Sequence, residues 1–209
     1  EMPIKEDTPL KTPESVYGKT KQIGEDILSD FAKAYQRKIS LLRYFNPIGA
    51  HPSALLGELP IGIPNNLVPY VMQTAAGIRE KLNVWGDNYD TPDGTPVRDY
   101  IYVVDLAKAH VLALKRLMNN SSEEAVIDIY NLGTGKGSSV LEVVKAFEEA
   151  NGVAVPYQIC DRREGDITIA YANADKAEKM LHWKSETSLK EALKTVWDWQ
   201  KYLESRSNK

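Results

Sequence analysis

The sequence contains a single cysteine, Cys160, so no disulfide can form within the chain. A lone cysteine is typical of proteins from a reducing compartment, and we expect a cytoplasmic protein. No apolar run approaches the roughly 18 residues that a helix needs to cross a bilayer. Residues 1–6 (EMPIKE) have neither the basic region nor the apolar core of a signal peptide. We therefore expect no membrane partner.

Excess charge and metal-binding patterns are also missing. The formal net charge of −3 over 209 residues gives no reason to expect nucleic acid or an anionic surface as a partner. The three histidines, His51, His110 and His182, are scattered, and none has a carboxylate or cysteine at the spacing of a ligand set. No metal site is expected.

What the sequence does contain is an alternation of strand-like and helical segments. Residues 39–45 (ISLLRYF) and 126–132 (VIDIYNL) have the composition of strands. Ser139 and Glu142 have the spacing of a capping box at the start of a helix, and residues 188–191 repeat that spacing before the last amphipathic segment. Strands that alternate with helices favour an α/β fold.

Tyr17 and Lys21 are four residues apart in a segment that we expect to be helical to about residue 37, so they share a face. On a wheel of about 100° per residue, one stripe lies within about 40° of Tyr17. That stripe comprises Lys21, Gly24, Leu28, Phe31 and Tyr35. We expect it to be buried. An ammonium beside a phenol favours the ionised phenolate, which is the form that a tyrosine general base requires.

A structural reading of the same pair remains open. A tyrosine and a lysine at this spacing occur about once by chance in a chain of this composition. Tyr17 would then lie at the edge of the core, with Lys21 extended past it to solvent.

A glycine-rich run at 133–137 (GTGKG) follows a strand and precedes a helix, as the phosphate-binding turn of a dinucleotide site does. Its third glycine comes one residue early, however. Lys136 is followed by glycine instead of the serine or threonine of a P-loop. We assign the run to turn geometry and helix capping.

Nine short runs occur in an order that matches one family and cover nearly the whole chain. They are YGKTK (17–21), RYFNP (43–47), GAH (49–51), GIPNNL (62–67), NVWG (83–86), YDT (89–91), VRDYI (97–101), YNLGTG (130–135) and RREGD (162–166). With these runs the chain resembles the extended short-chain dehydrogenase/reductase family and, within it, the UDP-glucose (UDP-galactose) 4-epimerases.

The resemblance implies an α/β fold in two parts. Residues 1–48 would form the end of a Rossmann-type doubly wound parallel sheet, the carboxy-terminal part of an NAD-binding domain that carries the Tyr/Lys helix. Residues 49–203 would mainly form the smaller α/β substrate-binding domain, with some segments that return to the first domain. Residues 204–209 are expected to be a frayed tail.

The resemblance also implies site residues. Tyr17 and Lys21 would be catalytic, and together with Tyr44 they would contact the cofactor NAD. The residues that would bind the UDP-hexose substrate are Tyr44, Phe45, Asn46, Asn65, Asn66, Leu67, Asn83, Val84, Trp85, Arg98, Arg163, Asp166 and Ala170.

Each implied role has a physical basis and a structural alternative. Arg98 and Arg163 can donate fork-shaped, charge-assisted hydrogen bonds to a pyrophosphate, or can form surface ion pairs with the adjacent acids. Trp85 can stack on uracil while the backbones of residues 83 and 84 bind its edge, or can be a core residue. The asparagines can serve turns and caps instead, and Asp166 is either an acceptor for ribose hydroxyls or a solvated acid.

Ala170 stands where members of the family carry a bulky Tyr or a smaller Cys beside the sugar. A small side chain leaves room, so we expect that N-acetylated UDP-hexosamines are accepted as well.

The glycine-rich turn, the acidic ribose-binding residue and the catalytic serine of the family would lie upstream of this sequence. We expect that the missing amino-terminal NAD-binding half is a required partner, that the 209 residues alone bind NAD poorly and do not turn over UDP-galactose, and that the full-length protein is a homodimer. Two alternatives stay open. One is another nucleotide-sugar enzyme of the family, a 4,6-dehydratase or a decarboxylase, and the other is a non-catalytic UDP-sugar-binding module.

Overall fold

The computed structural model describes residues 2–13 and 15–207 and has an α/β architecture, as predicted. Its helices are α1 (Val16–Tyr35), α2 (Leu67–Ala75), α3 (Val103–Asn119), α4 (Val140–Asn151), α5 (Asp175–Leu181) and α6 (Leu189–Ser207). Its strands are β1 (Lys38–Tyr44), β2 (Asn46–Ile48), β3 (Leu82–Trp85), β4 (Val97–Arg98), β5 (Tyr100–Tyr102), β6 (Val126–Leu132), β7 (Ser138–Ser139), β8 (Tyr157–Cys160) and β9 (Ile169–Ala170).

Parallel pairing dominates the sheets of the described residues. The longest pair joins β1 to β6, with Lys38 opposite Val126 at one end and Tyr44 opposite Leu132 at the other. β2 pairs with β5 and β3 with β8, both in parallel. A three-stranded sheet has the order β7-β4-β9, in which β7 is antiparallel to β4 and β9 is parallel to it.

The two predicted capping boxes are present. At the start of α4 the Glu142 amide donates to Ser139 Oγ at 3.0 Å, while the Ser139 amide donates to the Glu142 carboxylate at 2.7 Å. The same exchange joins Ser188 and Glu191 before α6. Because these side chains satisfy backbone donors that a helix leaves unpaired at its amino end, they fix where both helices begin.

The buried apolar residues form two clusters. The first packs α2, α4 and α6 beneath β3 and includes the fully buried Val71, Val84, Phe147 and Leu193. The second lies between the β1–β6 pair and helices α3 and α5, around the fully buried Leu132. The second cluster thus uses late segments that return to the sheet of β1, while the domain boundary at residue 48 stays a prediction.

The predicted burial of the Tyr17 stripe on α1 is wrong. Tyr17 is 72% exposed, and Lys21, Leu28, Phe31 and Tyr35 are exposed as well, while Ala32 is the buried residue of this helix. The physical reason is a missing layer, because α1 packs on β1 and β6 through the flank that carries Ala32 and no described residue covers the Tyr17 face.

Residues 204–207 of the tail that we expected to fray belong to helix α6, and the fraying itself stays a prediction. Helix α6 continues through Ser207, and within this last part the Ser205 hydroxyl donates to the carbonyl of Tyr202 at 2.7 Å. Residues 208 and 209 lie outside the described residues. No helix of the described residues has both the length and the apolar character needed to cross a membrane.

A buried carboxylate, Asp105, ties α3 to the segment before α6. Its side chain is 1% exposed and accepts the amides of Thr187 at 2.9 Å and Glu186 at 3.1 Å, together with the Lys108 ammonium at 3.1 Å. Burial by itself would raise the pKa of Asp105, but these donors outweigh burial and hold the pKa below its ordinary value.

We predict that Asp105→Asn lowers the free energy of unfolding by about 2 kcal/mol at pH 7, because charged acceptors form the stronger hydrogen bonds. A carboxyl group whose pKa is depressed in the folded state stabilises the fold above its unfolded pKa, and this stability is lost as the pH falls through the folded pKa. The difference between wild type and variant should therefore shrink below about pH 4. Urea titrations at pH 7, 5 and 3 measure it, and a difference that does not change with pH would contradict the assignment.

Candidate functional site

A cavity of about 640 Å³ opens between α2, β2, β3 and the β4–β9 pair. Nine of the residues predicted to bind substrate line it: Asn46, Asn65, Asn66, Leu67, Asn83, Trp85, Arg98, Arg163 and Asp166. They come from five separate segments of the sequence, and the fold brings them to the wall of one cavity. Their roles as ligands stay a prediction, but their convergence is a fact of the structure.

Arg98 reaches the cavity from the end of β4 and forms an ion pair there with Asp166. Its Nη1 also donates to the Val97 carbonyl at 2.9 Å. The sequence neighbour Asp99, which we considered as the ion-pair partner, faces away and is buried. The guanidinium is therefore fixed at the cavity wall by a partner 68 residues distant in the sequence.

Arg163 lies over the ring of Trp85, with its guanidinium carbon 4.9 Å from the ring centroid. This distance is within the range of a cation–π contact. Both side chains line the cavity, so a second positive charge and a flat aromatic surface are presented side by side. Arg163 and Glu164, both within the described part of the chain, do not form the surface ion pair that we considered.

Three of the four residues of β3 line the cavity, Leu82 at its start and then Asn83 and Trp85. Val84 between the last two is fully buried in the first apolar cluster, because successive side chains of a strand face opposite sides. The amides of Leu82 and Gly86 donate toward β8, so by the same alternation those of Asn83 and Trp85 face the other edge. The role of Val84 in substrate binding stays a prediction, since its side chain lies in the apolar cluster and the backbone groups on the edge of β3 that faces away from β8 belong to Asn83 and Trp85.

Asn66 precedes α2 and occupies its N-cap position, but its side chain makes no capping hydrogen bond. Its amide nitrogen instead donates to Glu58 at 3.3 Å. The alternative of cap duty for Asn66 therefore does not apply. Among the described residues no hydrogen-bond donor to its side-chain oxygen is seen, so this oxygen can serve a ligand in the cavity.

Two tyrosines that we did not predict also line the cavity, Tyr70 on α2 and Tyr100 on β5. Burial raises the pKa of Tyr100 far above its ordinary value, an effect that Arg98 opposes and Asp166 reinforces, so its phenol stays protonated at neutral pH. A signal for Tyr100 was present in the sequence, because it follows Arg98 by two residues in a strand-like run and so shares its face.

Besides Val84, three more of the residues predicted to bind substrate lie outside the cavity wall. Tyr44 is half exposed at the end of β1, with its ring 6.3 Å from that of His110. Phe45 links β1 to β2 and donates its amide to the Leu132 carbonyl at 3.1 Å. Ala170 is paired with Arg98 across β4 and β9, which places its methyl group on the same face of the sheet as the Arg98 side chain.

Tyr17 and Lys21 are adjacent on α1, with the Lys21 ammonium 5.0 Å from the centre of the Tyr17 ring. The predicted shared face is thus present. Neither residue lines the cavity, and both are exposed. Among the described residues, Lys21 contacts only Tyr17 through its ammonium. The ammonium of Lys21 is therefore available to a ligand.

Two guanidinium groups, an indole face and backbone groups on the edge of β3 suit a ligand with a diphosphate and a flat heterocycle. The sequence was also compared with known proteins. The chain belongs to the family described as GDP-mannose 4,6 dehydratase, an extended short-chain dehydrogenase/reductase family, whose sequence model matches residues 1–196. It is 52% identical over 199 residues to UDP-glucose 4-epimerase of Bacillus subtilis (strain 168), a match that covers 95% of this chain and 57% of that protein.

Solved structures give the same result. The chain superimposes on UDP-glucose-4-epimerase from Stenotrophomonas maltophila, with bound NAD and formylated UDP-arabinopyranose, with a TM-score of 0.93 and 46% identity over 99% of this chain and 60% of that one. For the enzyme from Bifidobacterium longum in complex with NAD+ and UDP, the TM-score is 0.90 and the identity 50%, over 97% and 59%. The chain spans little more than half the length of these relatives.

We predict that Arg98→Gln and Arg163→Gln each weaken binding of inorganic pyrophosphate to this chain by about tenfold, because each removes a charge-assisted donor from the cavity. Arg116→Gln is the matched control, since Arg116 is paired with Asp128 instead and should bind pyrophosphate like wild type. Isothermal calorimetry at fixed ionic strength measures the effect. Equal affinities for all four proteins would show that the cavity is not a phosphate site.

Proposed function

We propose that this chain supplies the substrate site and the Tyr/Lys pair of an NAD-dependent UDP-glucose (UDP-galactose) 4-epimerase. The observation that carries the proposal is the convergence of Arg98, Arg163, Trp85 and Asn83 on one cavity. Relatives of about 50% identity that are named UDP-glucose 4-epimerase support it. A UDP-sugar complex of a relative that superimposes closely on this chain supports the substrate class.

The parts of UDP match the chemistry of the wall. Arg98 and Arg163 would donate to the diphosphate oxygens, and because they approach from β4 and from the loop before β9 they can clamp it from two sides. Trp85 would stack on the uracil ring, and the free backbone groups of Asn83 and Trp85 would bind its edge. Asp166 would accept from a ribose hydroxyl. Binding energy is thereby placed far from the reacting carbon of the sugar.

The residues at the other end of the site fit the nicotinamide part of NAD. Tyr44 lies half exposed at the carboxyl end of the parallel strand β1, where α/β sheets bind their ligands. Lys21 presents an ammonium that is free to donate to ribose hydroxyls. Tyr17, Lys21 and Tyr44 would therefore hold this part of the cofactor, which supplies a hydride acceptor when it is bound.

In the reaction, Tyr17 would remove the proton from the 4-hydroxyl of the hexose and later return it. The Lys21 ammonium lies 5.0 Å from the centre of the Tyr17 ring, beside the group that would act as the general base. Loss of this proton to Tyr17 and of the carbon-4 hydride to bound NAD would leave a 4-keto sugar, which could turn over because the cavity wall holds the UDP part. Return of the hydride to the opposite face of carbon 4, together with the proton from Tyr17, would then invert that carbon.

The surface of α1 supports two further parts of the proposal. Exposed apolar side chains such as Val16, Ile27 and Phe31 leave the helix without a covering layer. We propose that an amino-terminal NAD-binding half of the enzyme covers part of this surface and that the enzyme is a homodimer. The single cysteine of the sequence supports a cytoplasmic location.

Two alternatives remain distinct in their chemistry. The family description names a 4,6-dehydratase, and such an enzyme, or a decarboxylase, would release a sugar that has lost water or carbon dioxide. A non-catalytic UDP-sugar-binding module would bind UDP without turnover. The 50% identity to an epimerase over 95% of the chain favours the 4-epimerase over both alternatives.

We predict that a chimera joining the amino-terminal part of the B. subtilis relative to residues 1–209 interconverts UDP-galactose and UDP-glucose. Tyr17→Phe should lower kcat at least about 100-fold, the usual effect of losing a general base. UDP affinity should be retained, since Tyr17 lies outside the cavity wall. Tyr35→Phe, on the same helix, is the matched control.

Product analysis by NMR decides among the readings. Dehydrated or decarboxylated product would replace the proposal by the corresponding alternative. UDP binding without turnover in the chimera would favour the module, and full activity of Tyr17→Phe would remove Tyr17 from the mechanism.

We predict that Ala170→Tyr in the same chimera lowers turnover of UDP-N-acetylglucosamine about tenfold or more relative to UDP-glucose, because added volume beside the sugar excludes the acetyl group. Ala172→Tyr is unsuitable as a control since Ala172 is fully buried, so Ala170→Ser serves instead and should keep the wild-type ratio. An unchanged ratio of hexosamine to hexose turnover in Ala170→Tyr would show that residue 170 does not select the substrate.

A further inference from the structure

The glycine-rich run 133–137 resembles a phosphate-binding turn but holds a side chain of the protein itself. The amides of Thr134 and Gly135 donate to the Asp99 carboxylate at 2.8 and 3.2 Å, and the Thr134 hydroxyl donates to it at 2.7 Å. Consecutive backbone amides that point inward form an anion-binding concavity. Here the bound anion is internal.

Asp99 is fully buried and joins three parts of the fold. Besides the loop after β6, its carboxylate accepts the Ala172 amide just beyond β9 at 3.1 Å. Its own amide donates to the Ala170 carbonyl at 3.1 Å, and its carbonyl accepts the Asn46 amide at 2.9 Å. A buried polar group costs free energy unless it is hydrogen-bonded, and these contacts supply the partners of Asp99.

Gly133 makes this approach possible. A Cβ atom at position 133 would lie 2.4 Å from Asp99 Oδ2 and 2.7 Å from the Cβ of Ala172. These distances are shorter than any normal contact, so a side chain at position 133 would displace either the carboxylate or the segment after β9. The glycine is thus required by a close approach and not by backbone conformation.

Asp99 is connected to the cavity through the residues next to it in the sequence and in the sheet. Neighbouring residues of an extended chain face opposite sides, so Asp99 faces inward while Arg98 faces the cavity. β4 and β9 are held in a register that sets Arg98 opposite Ala170, four residues after Asp166. Asn46, which also lines the cavity, is bonded to the Asp99 carbonyl.

We propose that Asp99 is a positioning residue for the diphosphate subsite, an inference that rests on the proposed function. Its carboxylate, held by the glycine-rich loop, fixes β4 against β9 and thereby places the Arg98 guanidinium at the cavity wall. The loop acts on the nucleotide only through Asp99 and does not bind a phosphate itself.

The test compares UDP with uridine in the 209-residue chain. In Asp99→Asn the amide group can accept fewer hydrogen bonds and presents N–H groups to N–H donors. We expect the Kd for UDP to rise about tenfold or more, whereas the Kd for uridine, which lacks phosphate, should stay within about twofold. Gly133→Ala should reproduce this pattern, and Thr134→Val, which removes one donor, should show a smaller rise of about threefold.

Asp105→Asn is the matched control, because it removes the charge of another buried carboxylate that lies outside the cavity wall. It should destabilise the chain while leaving both affinities within about twofold of wild type. Calorimetry with UDP and NMR titration with uridine give the constants, at a temperature where thermal melts show every variant to be folded.

A ligand-free readout separates this inference from the proposed function. In wild type the Arg98 Nε–H resonance should be a single sharp signal, and Asp99→Asn should broaden or shift it whereas Asp105→Asn should not. Failure of wild type to bind UDP would defeat the proposed function, and the resonance would still test the positioning role. An unaltered Arg98 signal in Asp99→Asn, unchanged UDP affinity, or equal losses for UDP and uridine would each overturn the inference.

Discussion

The buried carboxylate of Asp99 is the constraint on which the arrangement of the site depends. Strands β4 and β9 have only two residues each, too few for a ladder of backbone bonds to fix their positions alone. The carboxylate accepts four hydrogen bonds from two other segments and so defines where these short strands meet. Low local dielectric strengthens such a network when every member is satisfied. The position of Arg98 follows from it.

Each of the two arginines of the cavity wall is held in place by a partner. Arg98 and Arg163 would repel one another and fluctuate if they were unpaired, but each has a partner: Asp166 for the first and the Trp85 ring for the second. Side chains that are already held in place lose less conformational entropy when a ligand binds. The ion pair with Asp166 also lowers the net positive charge of the wall, and both contacts hold the guanidinium groups in place before a ligand binds.

The parts of this account that the sequence could predict are those with a local cause. The capping boxes at Ser139 and Ser188 depend on residues three apart, and the Tyr17/Lys21 contact on residues four apart, so periodicity was sufficient. Resemblance to a family supplied the residues of the cavity wall. Side-chain alternation, applied to 82–85, would have separated Val84 from its neighbours in advance.

What the sequence could not predict depends on pairings between distant segments. The partner of Arg98 is Asp166, 68 residues away, instead of the adjacent acid. The separation of the run at 133–137 from nucleotide-binding turns stays a prediction, and its partner Asp99 could be found only once β6 and β9 were placed together. The exposure of the Tyr17 face had no sequence signal either, because an apolar stripe looks the same whether or not a layer covers it.

The central claim is that the cavity holds UDP, and a crystal structure of this chain with UDP tests it most directly. The account predicts density for the diphosphate between Arg98 and Arg163, with the uracil ring against Trp85 and its edge at the backbone of Asn83. Nucleotide bound at the glycine-rich loop 133–137, or elsewhere on the surface with the cavity empty, would contradict it.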